Sequence, residues 1–285
     1  MSKILLTGAS GYLGKNLIQG FVDANHELVL LVRKSSDMIF LRNYTQPIKV
    51  YYIGSQTFDE IFRDNNIDIV IHTAASYGRK DETLKHVIDA NLTFPIDLLT
   101  AAIKNDVKYF INTDTALPKT LNWYARSKKQ FLEWLEESSS KINVINLQLE
   151  YFFGPNDDES KFITFVLKEL QSGKTEIDFT EATSLRDFIF IDDVVKAYLL
   201  IVRKINNFSG LQTIQIGSGN AIQLRKIIIK IRELVNRKDV NLNFGAIPMR
   251  PNEIEKSCAD ITYLKNLGWS PEYSFEEGIL KTIQK

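Results

Sequence analysis

Short apolar runs alternate with longer stretches of helical period through the first half of the chain. Segments 4–7, 27–32, 49–54, 67–72, 107–112 and 144–149 each read as a strand, and several are apolar at successive positions rather than alternate ones. A strand that is apolar on both faces suits a parallel sheet covered by helices on each side. Between these runs, segments opening at Lys15, Thr57, Leu84 and Trp123 carry helical spacing. The alternation predicts an α/β protein with a Rossmann-like, doubly wound parallel sheet. In the long helical stretch 84–104, polar Asn91 interrupts the pattern and Pro95 predicts a kink or break near Thr93 and Phe94.

The second half is less regular. Residues 151–158 form a turn-rich run, 162–170 reads as helix, 185–190 as strand and 194–202 as helix, with Asp192 and Asp193 at the helix start. A strand over 211–216 and a helix over 224–235 follow, then the constrained run Pro248-Met249-Arg250-Pro251. This order predicts a main domain over 1–150 to which 185–217 returns. Segments 151–184 and 218–285 then form a smaller C-terminal substrate-binding lobe, the other wall of a cleft.

Chemistry enters at the first turn. Gly8-Ala9-Ser10-Gly11-Tyr12-Leu13-Gly14 joins the first strand to the first helix. Amides at a helix start lack intrahelical partners and can receive a pyrophosphate, with glycines for the turn, the phosphate approach and the helix packing. The second strand ends in Arg33, Lys34 and Ser35, which suit a 2'-phosphate better than a free ribose. NADPH is therefore the expected cofactor and NAD the alternative; a solvated basic turn is the plainer reading of the same residues. Small Thr73, Ala74 and Ala75 at a strand exit would let a flat cofactor lie close, and His72 before them reads as a sheet-end residue. Asn91 is a further cofactor candidate, or a bridge between backbone groups. The strand over 107–112 delivers Thr113, Asp114 and Thr115 to the sheet's C-terminal edge, where ligands bind in open α/β sheets. Tyr124 and Lys128, four apart, project from one helical face.

Composition narrows the alternatives. Lys and Arg number 35 against 35 Asp and Glu in 285 residues, which gives no electrostatic footprint for nucleic acid. Cys258 is the single cysteine, so no intrachain disulfide can form; it is read as packing. No metal-ligand cluster, membrane-spanning run or signal-peptide pattern is apparent, and a cytoplasmic protein is expected.

Gly8-x-x-Gly11-x-x-Gly14, Thr113, Tyr124-x-x-x-Lys128, Arg186-Asp187-Phe188 before Ile191-Asp192-Asp193, and Arg250 together resemble the extended short-chain dehydrogenase/reductase family. These are the nucleotide-sugar epimerases, dehydratases and reductases, and the resemblance covers nearly the whole chain. It implies catalysis by Thr113, Tyr124 and Lys128, with Tyr124 as general acid, its pKa lowered by Lys128 and the nicotinamide charge, and Lys128 also holding the ribose hydroxyls. It implies a substrate site including Thr113, Asp114, Tyr151, Arg186 and Arg250, with the two arginines on the substrate's diphosphate. It also implies a homodimer paired through a bundle containing the catalytic helix. Within the family, 110–118 and 122–131 look like the ketoreductases that reduce the C4 ketone of CDP-4-dehydro-3,6-dideoxyglucose, giving CDP-abequose or CDP-paratose for O-antigen synthesis. The C4 epimerases with tightly held NAD are the alternative, and a cofactor-binding regulator or scaffold is a third class. A family dehydratase needs Thr-Asp-Glu, and Thr113-Asp114-Thr115 lacks that third carboxylate.

Overall fold

The computed structural model describes residues 1–79 and 81–284. The chain divides into two units, the first containing Met1–Gln148 and Val195–Ile214, the second Leu149–Val194 and Gln215–Lys285.

In the first half, β1 (Lys3–Thr7), α1 (Tyr12–Asp23), β2 (Glu27–Val32), β3 (Lys49–Tyr52), α2 (Phe58–Asn65) and β4 (Ile69–His72) succeed one another. Then come α3 (Leu84–Ile88), α4 (Phe94–Lys104), β5 (Tyr109–Thr115), α5 (Trp123–Ser138) and β6 (Asn143–Leu149). A seven-stranded sheet has the order β10-β6-β5-β4-β1-β2-β3, where β10 is Leu211–Ile216. From β5 through β4, β1 and β2 to β3 the pairings are parallel. The sheet is the doubly wound kind that the apolar runs predict, and β1 shows why. Ile4, Leu5 and Leu6 are all fully buried, so no alternation of polar residues is tolerated there. Leu5, Val29, Leu31, Val70, Phe110 and Val144 join residues of α2, α4 and α5 in one apolar cluster. Chain order reverses between β1 and β4, so the loops leaving these two strands lie side by side at the switch point.

The break expected near Thr93 is real and has a local form. One π-helical turn, Asp89–Thr93, separates α3 from α4, and Pro95 sits in the first turn of α4, where its missing amide costs no hydrogen bond.

The second unit contains β7 (Tyr151–Phe153), α6 (Phe162–Gln171), β8 (Glu176–Phe179) and β9 (Leu185–Phe190). The chain passes through α7 (Ile191–Arg203) and β10 to β11 (Ala221–Gln223), α8 (Leu224–Leu234), β12 (Asn241–Phe244), α9 (Thr262–Asn266) and α10 (Phe275–Ile283). β9 is central to a three-stranded sheet, parallel to β7 and antiparallel to β11. This pairing holds Leu185–Val194 in the second unit, so the return to the first is narrower than the 185–217 expected. Phe153, Phe188, Phe190 and Phe275 pack ring against ring in its core. Gly278 is required there: a Cβ would stand 2.8 Å from the Phe153 ring.

Candidate active site

The glycine loop is a tight cradle. Gly8 has φ +70°, and a Cβ on it would meet the Ala74 amide nitrogen at 2.6 Å. One on Gly14 would collide with Gly8 O and lie 2.8 Å from Ala9 Cα. The loops after β1 and β4 are thus in backbone contact. Thr73 Oγ1 donates to Thr7 O at 2.8 Å, and Ala74 N donates to Thr7 Oγ1 at 3.3 Å. Helix α1 has Gly11 at its N-cap with no side-chain cap, which leaves its first-turn amides to another acceptor. An open helix start in a cradle that admits no Cβ fits a dinucleotide pyrophosphate. Ser10 Oγ donates to Ser36 Oγ at 3.2 Å, Tyr12 is half-buried and Leu13 packs inward.

Arg33, Lys34 and Ser35 follow β2 and are all exposed. Ala75 is exposed too. His72 is fully buried, with Nδ1 2.8 Å from Thr7 Oγ1. Burial, then the charge of Lys128, holds it well below the usual histidine pKa, so it is neutral. Asn91, on the π-helical turn, bonds inside the fold. Its Oδ1 accepts from Ser76 N at 2.7 Å, and its Nδ2 donates to Ser76 O at 2.8 Å and Ser127 Oγ at 3.0 Å. It ties the β4 loop to α5.

Helix α5 starts at an Asn122 cap that accepts from Ala125 N at 2.8 Å, placing Tyr124 and Lys128 in its first turns. The Tyr124 ring lies against Tyr77, centroids 4.8 Å apart, and its hydroxyl feels the side chain of Thr115, whose Oγ1 accepts from Leu117 N at 3.2 Å. Thr113 instead bonds the buried Tyr198 hydroxyl at 2.7 Å. The structure therefore brings together Tyr124, Lys128 and Thr115, a residue of the expected sheet edge to which the sequence assigns no catalytic role. Thr113 and Thr115 are two apart on one strand, so alternation alone could not choose between them. Burial raises the Tyr124 pKa well above its ordinary value, Tyr77 and Asp114 push the same way, and the Thr115 side chain opposes them. In this structure burial leaves Tyr124 a phenol. Lys128 is brought down to about 8 by burial, with Asp114 raising it and Lys129 lowering it. Asp114, expected on the substrate, is buried and paired with Lys129 Nζ at 2.7 Å.

In the second unit, Arg186 is buried and ion-paired with Glu253 at 2.5 Å, its guanidinium 5.7 Å from the centre of the Tyr151 ring. Arg250 is exposed, three residues before Glu253 in sequence. Neighbouring Asp187 accepts from Ser218 N at 2.8 Å, Gly219 N at 3.0 Å and Ala259 N at 3.1 Å, and so fixes this segment.

Residues 4–217 match the NAD dependent epimerase/dehydratase family. CDP-abequose synthase of Salmonella muenchen is 31% identical over 99% of this chain and 97% of its own length. Among solved structures, UDP-glucuronic acid 4-epimerase from Bacillus cereus, in complex with UDP-glucuronic acid and NAD, superposes with a TM-score of 0.85 at 22% identity, covering 99% of this chain and 98% of that one. MoeE5, in complex with UDP-glucuronic acid and NAD, gives 0.84 at 19%, covering 99% and 98%. These overturn the expectation of NADPH, since the cofactor they hold is NAD. Arg33 and Lys34 are exposed after β2, and basic residues at that place in the sequence do not by themselves hold a 2'-phosphate.

Proposed function

We propose that this chain, which belongs to the NAD dependent epimerase/dehydratase family, transfers hydride between NAD and C4 of a nucleotide-linked sugar. The observation that carries the reading is Tyr124 with Lys128 one helical turn behind it on α5, and Thr115 of β5 beside the Tyr124 hydroxyl. When bound, NAD supplies the hydride acceptor; the proton at O4 falls to the protein. Tyr124, held as a phenol, gives its proton to a developing C4 alkoxide and recovers it in the opposite direction. Thr115 steadies the charge on that oxygen. Lys128 is cationic below about pH 8 and favours the phenolate when the reaction runs towards the ketone. Gly8, Gly11 and Gly14 hold the pyrophosphate, and within the second unit Arg186 is the proposed partner of the substrate's diphosphate.

C4 epimerisation is the leading form of this chemistry, because NAD is the cofactor held by the solved relatives and a complete cycle returns it unchanged. Net reduction of a C4 ketone is the second reading, favoured by the full-length similarity to a CDP-abequose synthase, and CDP is then the nucleotide. A homodimer is included in the proposal: Trp134 on α5 is 53% exposed and Leu84 on α3 45%, apolar surface suited to a second copy.

The purified protein would be incubated with NAD and UDP- or CDP-hexoses, and separately with NADH and CDP-4-dehydro-3,6-dideoxyglucose. A C4 isomer formed without net cofactor change supports epimerisation. Stoichiometric NADH oxidation with a new C4 alcohol supports reduction. Neither product, from protein that binds NAD, would refute C4 chemistry.

A further inference from the structure

Behind the catalytic helix lies a set of polar side chains that binding and proton transfer do not require. Asn112 and Asn146 are fully buried and Asp114 almost so, on adjacent strands β5 and β6. Their hydrogen bonds all run one way. Lys128 Nζ donates to Asn112 Oδ1 at 3.5 Å, Asn112 Nδ2 donates to Asn146 Oδ1 at 2.7 Å, and Asn146 Nδ2 donates to Asp114 Oδ2 at 3.1 Å. Gln148 Nε2 reaches the same oxygen at 3.4 Å. Lys129 closes the end, donating at 2.7 Å to both Asp114 Oδ2 and Thr115 O. Asp114 Oδ1 in turn accepts from Thr115 N at 2.7 Å.

Uncompensated polar groups at such depth would be costly. Here each amide accepts on one side and donates on the other, so the dipoles align from cation to carboxylate and reinforce one another. The far end also grips the backbone of Thr115, so the same network touches both partners of Tyr124.

We propose that Asn112, Asn146, Asp114 and Lys129 are positioning residues, an oriented relay that anchors Lys128 and Thr115 around Tyr124 and sets the charge the site feels. Its bearing on catalysis rests on the functional reading above; the relay itself can be read without turnover.

The charged and titratable groups around Lys128 come from three elements: Asp114 on β5, Lys129 and the phenol Tyr124 on α5 itself, and neutral His72 on β4. Asp114 raises the Lys128 pKa and Lys129 lowers it, so removing them should have opposite effects. Side-chain-labelled [ε-13C]lysine NMR reads this directly. Lys128, at about 8, stands apart from ordinary lysines near 10.5, and Lys128→Arg assigns its signal. Asp114→Asn should lower the Lys128 midpoint by about half a pH unit or more, and Lys129→Met should raise it by a similar amount. Lys129→Arg should keep the original midpoint.

A loss of packing has no reason to produce opposite signs. Midpoints that stay put, or move the same way in both variants, overturn the relay. If Asp114→Asn fails to fold, Lys129→Met against Lys129→Arg decides alone: a rise in the first only supports the proposal, and any other result overturns it. Failure to turn over any nucleotide sugar would refute the functional reading and leave this titration standing. Unmoved midpoints in an active enzyme would refute the relay alone.

Discussion

Glu150 offers a test of folding energetics within the second unit. It is only 7% exposed, and both its carboxylate oxygens lie 2.7 Å from Ser257 Oγ. Burial lifts its pKa from 4.5 to about 7; the Ser257 bond opposes this, Asp187 adds to it and Arg186 opposes it. Below pH 4.5 the carboxyl is neutral in folded and unfolded chains alike, and its contribution to stability is fully present. Between 4.5 and about 7 the unfolded chain loses the proton while the folded one keeps it. Stability therefore falls as pH rises, and the loss is complete above the folded pKa. At about 1.4 kcal/mol per pH unit, that interval is worth about 3 kcal/mol. Glu150→Gln removes the titration and preserves shape and an acceptor for Ser257. Urea unfolding, followed by fluorescence of Trp269, would be run on both proteins from pH 5 to 8. Trp269 is 6% exposed and in the same unit, whereas Trp123 and Trp134 are about half exposed, so Trp269 should dominate the change. The variant should gain stability over the parent as pH rises to about 7, and the gain should level off above it. Parallel profiles would show that Glu150 is not held protonated by the fold, and the reasoning from burial would be wrong.

Gly14→Ala should weaken NAD binding at least tenfold in calorimetry, because its methyl collides with Gly8 O; overpacking should also cost about 1–3 kcal/mol in denaturation. Thr115→Val should lower kcat about 100-fold, whereas Thr113→Val, which loses a bond to Tyr198, should show mainly lower stability; steady-state kinetics beside thermal melts separates the two. Asn91→Leu leaves Ser76 N and O without their partner and should destabilise the protein by about 2–4 kcal/mol, measured by chemical denaturation. Tyr198→Phe removes only the buried hydroxyl bond to Thr113, and a loss of about 1 kcal/mol is expected from the same measurement.

The sheet and the glycine loop were legible because their causes are local. A strand buried on both faces must be apolar at consecutive positions, as Ile4 to Leu6 are, and a Cβ at Gly14 would collide with its own loop. The break before α4 was legible for the same reason, since Pro95 removes an amide wherever it stands. The partners of the site were not. Strand β5 runs three residues beyond its expected end, through Thr115, and only the packing of α5 and α7 shows which threonine meets Tyr124 and which meets Tyr198. Asp114 looked like a ligand-facing carboxylate at a sheet edge until Lys129 and Asn146 closed around it. Arg186 carries no sign in sequence that Glu253, 67 residues on, holds it. The pKa of Tyr124 is lifted by burial, a property of the folded surroundings that its spacing from Lys128 does not carry. Periodicity and steric exclusion act within a few residues and are written in the chain; hydrogen-bond partners and desolvation belong to groups that meet only when it folds.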